Sequence, residues 1–373
     1  MASKEVHKNN EERQCSQRSQ GELSLFRLKL LKWFDTHGRI LPWRGIDDPY
    51  KIWVSEIILQ QTQVAQGWDY YHRFITAYPD VRSLAKAKEE EVLLLWQGLG
   101  YYSRALNMLT AARQIVDAFG GKFPREEQEV ALLKGVGPYT TAAIMSIAYN
   151  APLAVVDGNV YRVLSRVEAC DTPIDTTPGQ KYYRALAQEF LDPERAGKYN
   201  QAMMDLGATI CTPYNPDCTQ CPVAKLCHSK EKPELLQLLP IKAKKTAVEN
   251  RYIDYFLLLD GDNMWVERRD KKTIWKGLYQ FPMHEQKKEF LTEKQLHKQY
   301  GGEWKLAETI DLPDHRLTHR QLHIRVHTYQ WQGELPPSLP APLEQIAISD
   351  HHLYAFPKPL RAFLNSHFSR IYL

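Results

Sequence analysis

The sequence predicts a multidomain protein that joins an all-α region over residues 22–230 to an α+β domain over residues 249–373. Its 373 residues suffice for two or three domains at roughly 150 residues each. Apolar residues recur at helical spacing in the first region, and strand-like runs bounded by turn residues fill the second. The content of 43% hydrophobic and 25% charged residues is ordinary for a globular protein.

The helical region is predicted from apolar residues three or four positions apart, interrupted by Gly and Pro. One such stripe runs over residues 23–34. Residues 47–49, Asp-Asp-Pro, have the composition of a helix cap followed by proline in the first turn, and they predict a helix over residues 49–63. Further helices are predicted over residues 131–150 and 181–191.

The second domain is predicted from aromatic and aliphatic runs at residues 252–259, 264–266 and 322–332, which read as strands. A turn signal, Asp-Gly-Asp-Asn at residues 260–263, separates the first two runs.

The segments on either side of the helical region are polar. Residues 1–21 lack the apolar run of a secretory signal and are expected to form a disordered tail. Residues 231–248 form a basic linker, and residues 225–245 carry six lysines against two glutamates, an excess equal to the net charge of +4 of the whole chain. Such a linker suits a polyanionic partner, although a solvated linker explains the same charge. No stretch approaches the roughly 18 apolar residues that cross a bilayer.

Four of the six cysteines are clustered with the spacing C-x6-C-x2-C-x5-C, whereas Cys15 and Cys170 stand apart. Zinc ribbons usually present two C-x2-C pairs. A single pair with unequal flanking arms favours a [4Fe–4S] cluster with four cysteine ligands, and zinc is the alternative. Because cysteine occupies all four positions, the expected role is structural or electron-transferring. The four predicted ligands are Cys211, Cys218, Cys221 and Cys227.

A glycine hairpin at residues 132–139 lies between two helical segments. Gly135 and Gly137 allow a tight turn, and the helix that starts near Pro138 directs free N–H groups outward, where they can hold a DNA phosphate. An ordinary connector between helices is the alternative.

Two carboxylates are candidates for chemistry. Asp157 ends an apolar run and precedes Gly158, so it is either a helix N-cap or a carboxylate that faces a cationic transition state. Glu56 shares a helix face with Ile52 and Leu59, which would raise its pKa toward that of a general acid. A Glu at the edge of this face, reaching solvent, is the alternative.

Together these motifs resemble the helix–hairpin–helix DNA glycosylases, and specifically the MutY-type adenine DNA glycosylases. They occur in family order from about residue 22 to 230, and the C-terminal domain resembles the family's Nudix-like recognition domain. The shared motifs are LPWR at residues 41–44, VSEIILQQT at 54–62, GLGYYSR at 98–104, GVG at 135–137, VDGNV at 156–160, NQAMMDLG at 200–207 and the four cysteines.

The resemblance implies that Glu56 protonates adenine N7 and activates water, while Asp157 stabilises the oxocarbenium-like sugar. Tyr139 and Asn159 would support these two groups. Bifunctional relatives carry a lysine at the position of Tyr139, and a phenol cannot form an imine. The implied enzyme is therefore monofunctional.

The resemblance also implies binding residues for a flipped-out adenine. Gln61 and Tyr101 would insert into the vacated stack, Gln201 would lie near the adenine pocket, and Trp43 and Arg44 would line it. The remaining DNA-binding residues implied in this region are Leu59, Thr62, Gly135 and Gly137.

In the C-terminal domain, the segment after residue 282 lacks the R-E-x-x-E-E core that holds magnesium in Nudix hydrolases, so no hydrolysis is expected there. His315, Thr318 and His319 resemble the loop with which the family senses 8-oxoguanine. Leu317 departs from the usual aromatic residue of that loop, which argues against stacking there. Two surface histidines without a role are the alternative.

The resemblance therefore implies a monomeric DNA-repair enzyme of the bacterial cytoplasm, associated with the nucleoid, that removes adenine opposite 8-oxoguanine or guanine in double-stranded DNA. Three alternatives remain: a pyrimidine glycosylase/lyase of the same fold, a non-catalytic DNA-binding iron–sulfur protein, and a zinc-stabilised transcription factor.

Overall fold

The structure is a computed structural model. The residues it describes are 18–243, 247–269, 274–299, 303–333 and 342–368. The chain divides into two compact units, each made of two chain segments. The first unit comprises Met1–Glu56 and Phe123–Lys245, and the second comprises Ile57–Lys122 and Thr246–Leu373.

Helices dominate the chain up to residue 243. The α-helices of the described residues are α1 Gln20–His37, α2 Pro49–Leu59, α3 Val64–Ala77, α4 Val81–Lys86, α5 Glu89–Trp96, α6 Ser103–Phe119, α7 Glu127–Ala131, α8 Pro138–Tyr149, α9 Gly158–Val167, α10 Thr177–Phe190, α11 Ala196–Asp205, α12 Pro233–Leu238, α13 Glu293–Gln299 and α14 Lys358–Phe368. Short 3-10 helices at Pro193–Arg195, Ala224–Leu226 and Ile348–Leu353 and a π-helix at Leu206–Ile210 complete the helical elements.

Helix α1 begins earlier than the expected tail allows. Ser19 caps it, because the Glu22 backbone N–H donates to Ser19 Oγ and the Ser19 N–H donates to Glu22 Oε2. Arg18 is buried before this cap. The expected tail over residues 1–21 therefore extends too far, and its residues 1–17 lie outside the described part of the chain.

The core of the first unit lies between α1, α9, α10 and α11. Their apolar stripes interlock, as where the rings of Phe26 and Phe190 meet edge to face with centroids 5.0 Å apart. Burial of each such side chain contributes about 1.5–3 kcal/mol. This core supports the start of α9 and the end of α11, where the candidate site lies.

Three predicted helices differ from the structure in their bounds. Helix α2 ends at Leu59 instead of residue 63, because Gln61 takes a left-handed backbone conformation with φ 58°. Of the predicted helix over residues 131–150, α8 covers Pro138–Tyr149, whereas the glycine hairpin occupies residues 132–137 and Ala131 is the last residue of α7. Helix α10 starts at Thr177, ahead of the predicted residue 181, because the Thr176 side chain caps it.

In the second unit, α3, α4, α5 and α6 pack around buried aromatic and aliphatic residues. The rings of Phe74 and Trp96 meet edge to face, 5.9 Å apart. Gly120 ends α6 in the left-handed conformation, which glycine adopts without strain.

The rest of the second unit is a mixed sheet with α14 on one face. The strands are β1 Glu249–Asp260, β2 Asn263–Arg268, β3 Tyr279–Gln280, β4 Met283–Gln286, β5 Trp304–Arg316, β6 Arg320–Trp331 and β7 Glu344–Ala347. Their order is β3-β2-β1-β6-β5, with β4 paired to β1 and β7 to β2, and β1 and β6 run parallel. The three predicted strands and the turn at residues 260–263 are confirmed, and so is the α+β class.

The basic linker contains one short helix, α12, and residues 244–246 lie outside the described part of the chain. Within the described residues, no helix combines the length and apolar character needed to cross a membrane.

Candidate active site and cysteine site

Glu56 and Tyr139 form the first part of the candidate site. Glu56 lies on α2 and is 7% exposed. Tyr139 lies in the first turn of α8, and its hydroxyl donates to Glu56 Oε2 at 2.7 Å. Burial raises the pKa of Glu56 to about 7; the Tyr139 hydrogen bond and Arg44 lower it, and Asp157 raises it. The carboxyl thus exchanges its proton near neutral pH.

Asp157 forms the second part, and it is an N-cap as well as a candidate for chemistry. Its Oδ1 accepts from the backbone N–H of Val160 at 2.8 Å, and its Oδ2 accepts from the Asn159 side-chain amide at 2.8 Å. Burial raises the pKa of Asp157, against these hydrogen bonds, which lower it. The charges of Asp157 and Glu56 are close enough to interact. Two carboxyl groups therefore lie near each other, and burial raises the pKa of both, that of Glu56 to about 7.

Arg44 lies near Glu56, and Asp205 holds it there. The Asp205 carboxylate, whose side chain is fully buried, accepts from Arg44 Nη1 and Nη2 at 2.5 and 2.6 Å and from Arg39. Burial alone would raise the pKa of Asp205, but the hydrogen bonds from Arg44 and Arg39 lower it. The Arg44 guanidinium also lies over the Phe34 ring, 5.2 Å from its centroid.

The other predicted residues of the first unit have these positions. Trp43 is buried directly before Arg44. Gln201 is partly buried on α11, one turn before Asp205. Gly135 has φ 79°, and Gly137 caps α8. Both glycines are exposed, so the backbone N–H groups at the start of α8 are accessible to an anion.

In the second unit, Gln61 and Tyr101 share an unusual backbone. Both take left-handed conformations, with φ 58° and 48°, which non-glycine residues rarely adopt. Arg104 joins the two turns: its Nη1 donates to the carbonyls of Ile57, Ile58 and Gln60, and its Nη2 donates to the Gly100 carbonyl. Strained conformations held this firmly are common at functional sites. The remaining predicted residues of this segment, Leu59 and Thr62, are partly buried.

The loop with the predicted 8-oxoguanine contacts joins β5 to β6. Thr318 and His319 are exposed at its tip, and Thr318 Oγ1 lies 2.8 Å from Tyr101 Oη. His315 lies beside Trp275, and burial lowers its pKa. Leu317, the residue that departs from the family pattern, packs against the hydrophobic core of the sheet domain. Its side chain therefore attaches the loop to this core.

The four clustered cysteines line one cavity, together with Arg166 and Lys230. All four are free thiols. Burial raises the pKa of Cys221 to about 12, and the neighbouring thiols contribute. Among the described residues, no group of three or more His, Cys, Asp or Glu side chains is arranged to hold a metal ion.

Arg162 connects the cysteine segment to the start of α9. Its Nη2 donates to Asn159 Oδ1 at 2.8 Å and to the Gly207 carbonyl, and its Nε donates to the Cys211 carbonyl at 2.7 Å. A side chain on Gly207 would clash with Asn159, because a Cβ there would lie 2.6 Å from Asn159 Cβ. Asn159 is therefore held from both sides while it donates to Asp157.

Sequence reasoning missed four residues with clear positions in this arrangement. Asp205 and Arg104 lie inside motifs quoted for the resemblance, and Arg162 and Arg166 lie four residues apart on α9. Their shared signal is a charged residue followed directly by an apolar residue inside a helix, and a charged residue that is buried there needs a dedicated partner.

Two family models match the chain. The HhH-GPD superfamily base excision DNA repair protein matches residues 54–194, and the NUDIX domain matches residues 254–366. The adenine DNA glycosylase of Buchnera aphidicola subsp. Schizaphis graminum is 32% identical over 301 residues, which are 80% of this chain and 86% of that protein. The chain belongs to the adenine DNA glycosylase family. The resemblance and the two-part fold class are thereby confirmed.

Two further relatives show how much of each chain is shared. The human adenine DNA glycosylase is 46% identical over 231 residues, which are 60% of this chain and 42% of the human protein. The chain thus spans less than half the length of the mammalian relatives it matches. The solved structure of a thermostable thymine-DNA glycosylase matches with a TM-score of 0.53 and 30% identity, over 57% of this chain and 98% of that one.

Proposed function

We propose that this protein is an adenine DNA glycosylase that hydrolyses the N-glycosidic bond of adenine opposite 8-oxoguanine or guanine in double-stranded DNA. The observation that carries the proposal is the pairing of Glu56, with a pKa near 7, and Asp157, held by two hydrogen bonds beside it. Membership of the adenine DNA glycosylase family supports the same substrate.

In this proposal Glu56 donates its proton to N7 of the flipped adenine and afterwards orients water as a base. Protonation converts the base into a neutral leaving group, and general acid catalysis of this kind contributes about 10²–10⁴-fold. Tyr139 donates to Glu56 and so keeps the carboxyl in one orientation.

Asp157 stabilises the positive charge that develops on the sugar, as carboxylates do in glycoside hydrolysis. Its two hydrogen bonds fix the carboxylate, and Arg162 holds Asn159 in place. Tyr139 cannot form an imine, so the enzyme leaves the abasic site uncut.

DNA binding is proposed for five groups of residues. The hairpin at Gly135 and Gly137 offers backbone N–H groups to a phosphate. Gln61 and Tyr101, held in place by Arg104, insert into the stack from which adenine has left. Trp43, Arg44 and Gln201 line the adenine pocket, Leu59 and Thr62 add DNA contacts, and His315, Thr318 and His319 contact 8-oxoguanine.

The cysteine site is proposed to hold a [4Fe–4S] cluster. Four free thiols and no other sulfur donor line its cavity, which is the donor set of such clusters. A four-iron cluster binds each thiolate through a different iron, so its ligands need not surround one ion. When bound, the cluster would fix the segment after α11. Zinc is the competing metal, and the two differ in absorbance near about 400 nm.

The substrate is tested with duplexes that hold adenine opposite 8-oxoguanine, guanine, cytosine or thymine, followed by alkali cleavage. We expect cleavage of the first two duplexes only. We further propose that the protein acts as a monomer, on nucleoid DNA in the bacterial cytoplasm. Cleavage of all four, or of none, would contradict the proposal. Efficient borohydride trapping on damaged duplex would instead favour a pyrimidine glycosylase/lyase.

A further inference from the structure

Arg166 is a buried cation at the cysteine cavity. It lies on α9, is 1% exposed and lines the cavity together with the four thiols. Among the ion pairs of the described residues, none joins Arg166 to a carboxylate. The one carboxylate that lines the cavity, Asp217, forms no ion pair with Arg166 among the described residues and hydrogen-bonds to Thr219 and Gln220. A buried charge without an opposite charge is costly, so a negative group inside the cavity would stabilise Arg166.

The hydrogen bonds of Arg166 point to the same place. Its Nη1 lies 3.5 Å from Cys211 Sγ and also donates to the Thr212 carbonyl, and its Nη2 donates to the Pro213 carbonyl. Its own carbonyl accepts from Cys227 Sγ at 3.4 Å. Arg166 therefore contacts both the first and the last cysteine of the segment.

The guanidinium of Arg166 has five N–H groups but makes only three hydrogen bonds among the described residues. Its Nε is buried and has no hydrogen-bond partner within the described residues. Leaving a buried donor unsatisfied costs about 1–3 kcal/mol, and more for a charged group. An anionic sulfur-rich group in the cavity would provide both the acceptor and the counter-charge.

We propose that Arg166 is the internal counter-cation of the [4Fe–4S] cluster and donates N–H groups to its sulfurs, thereby setting the reduction potential of the cluster. This inference rests on the cluster proposed above. Four thiolates give the centre a net negative charge that grows on reduction, so a cation and N–H···S bonds stabilise the reduced form. Removal of Arg166 then lowers the potential.

The test compares Arg166→Gln and Arg166→Lys with Arg27→Gln in the full-length holoprotein. Like Arg166, Arg27 donates to two backbone carbonyls, those of Phe190 and Glu189, but it does not line the cavity. Iron content and absorbance near about 400 nm are measured first. The potential is then measured by one-electron titration, which does not depend on glycosylase activity.

We expect Arg166→Gln to change the ratio of oxidised to reduced cluster at least tenfold, which is about 59 mV toward more negative potential for one electron. Arg166→Lys keeps the charge but loses the forked donors, so its shift is smaller and of the same sign. Arg27→Gln leaves the potential unchanged. If Arg166→Gln fails to retain iron, the reduction potential of Arg166→Lys serves as the test: a shift to more negative potential supports the inference, and an unchanged potential contradicts it.

Two outcomes would overturn the inference, and they are distinguishable. If the wild type contains iron and the Arg166 variants have the same reduction potential as the wild type, the proposed role of Arg166 is wrong, but the proposed cluster is not. A wild type that contains zinc or no metal removes the cluster, and the assignment of Arg166 with it.

Discussion

Substitution of Glu56 by Gln is expected to stabilise the protein, but only at neutral and alkaline pH. The buried carboxyl has its pKa raised from 4.5 to about 7. Between these values the folded state binds more protons than the unfolded state, so stability falls as pH rises through the window. At 1.36 kcal/mol for each pKa unit, the full cost above pH 7 is about 3 kcal/mol. Gln keeps the shape and accepts the Tyr139 hydrogen bond without this cost.

The assay is urea denaturation of wild type and Glu56→Gln from pH 4.5 to pH 8.5. The two curves should nearly coincide at pH 4.5 and separate by up to about 3 kcal/mol at pH 8. Glu22→Gln is the matched control, because hydrogen bonds from the Ser19 backbone and side chain lower the pKa of Glu22, so this variant should lose stability at pH 8. Equal stability of Glu56→Gln and wild type at pH 8, or a difference that does not change with pH, would refute the reasoning.

Three further predictions follow from the same contacts. The single-turnover rate of adenine release should decline as pH rises through about 7, because Glu56 loses its proton there; a rate that is flat to pH 9 would argue against Glu56 as the acid. Arg162→Met should slow adenine release at least tenfold, about 1.4 kcal/mol, with unchanged duplex binding, because Asn159 loses a donor that fixes it; equal rates would show that Asn159 needs no support. Arg104→Met should weaken binding to mispaired duplex by about tenfold, because the turns at Gln61 and Tyr101 lose four carbonyl contacts; unchanged affinity in a binding titration would contradict this.

Local sequence patterns predicted much of the fold and both carboxylates. Helical periodicity placed Glu56 on an apolar face, and the structure buries it there. For Asp157 the sequence left two alternatives, a helix N-cap and a catalytic carboxylate. The structure shows that Asp157 is an N-cap, and an N-cap carboxylate can also serve in catalysis. Hydrogen bonds of this kind are local, so sequence spacing reveals them.

Long-range contacts could not be predicted from the sequence. The end of α2 is fixed by Arg104, more than forty residues away, and Arg44 is positioned by Asp205, 161 residues away. Periodicity has no information about such partners, which is why the helix over residues 49–63 was predicted too long. The same limit hid the grouping of Ile57–Lys122 with the sheet domain.

The most direct test of the account is single-turnover adenine release from an A:8-oxoguanine duplex by wild type, Glu56→Gln and Asp157→Asn, with duplex binding measured on the same preparations. The account predicts that both variants bind the duplex as wild type does and release adenine at least 10²-fold more slowly. Release at the wild-type rate by either variant would contradict it.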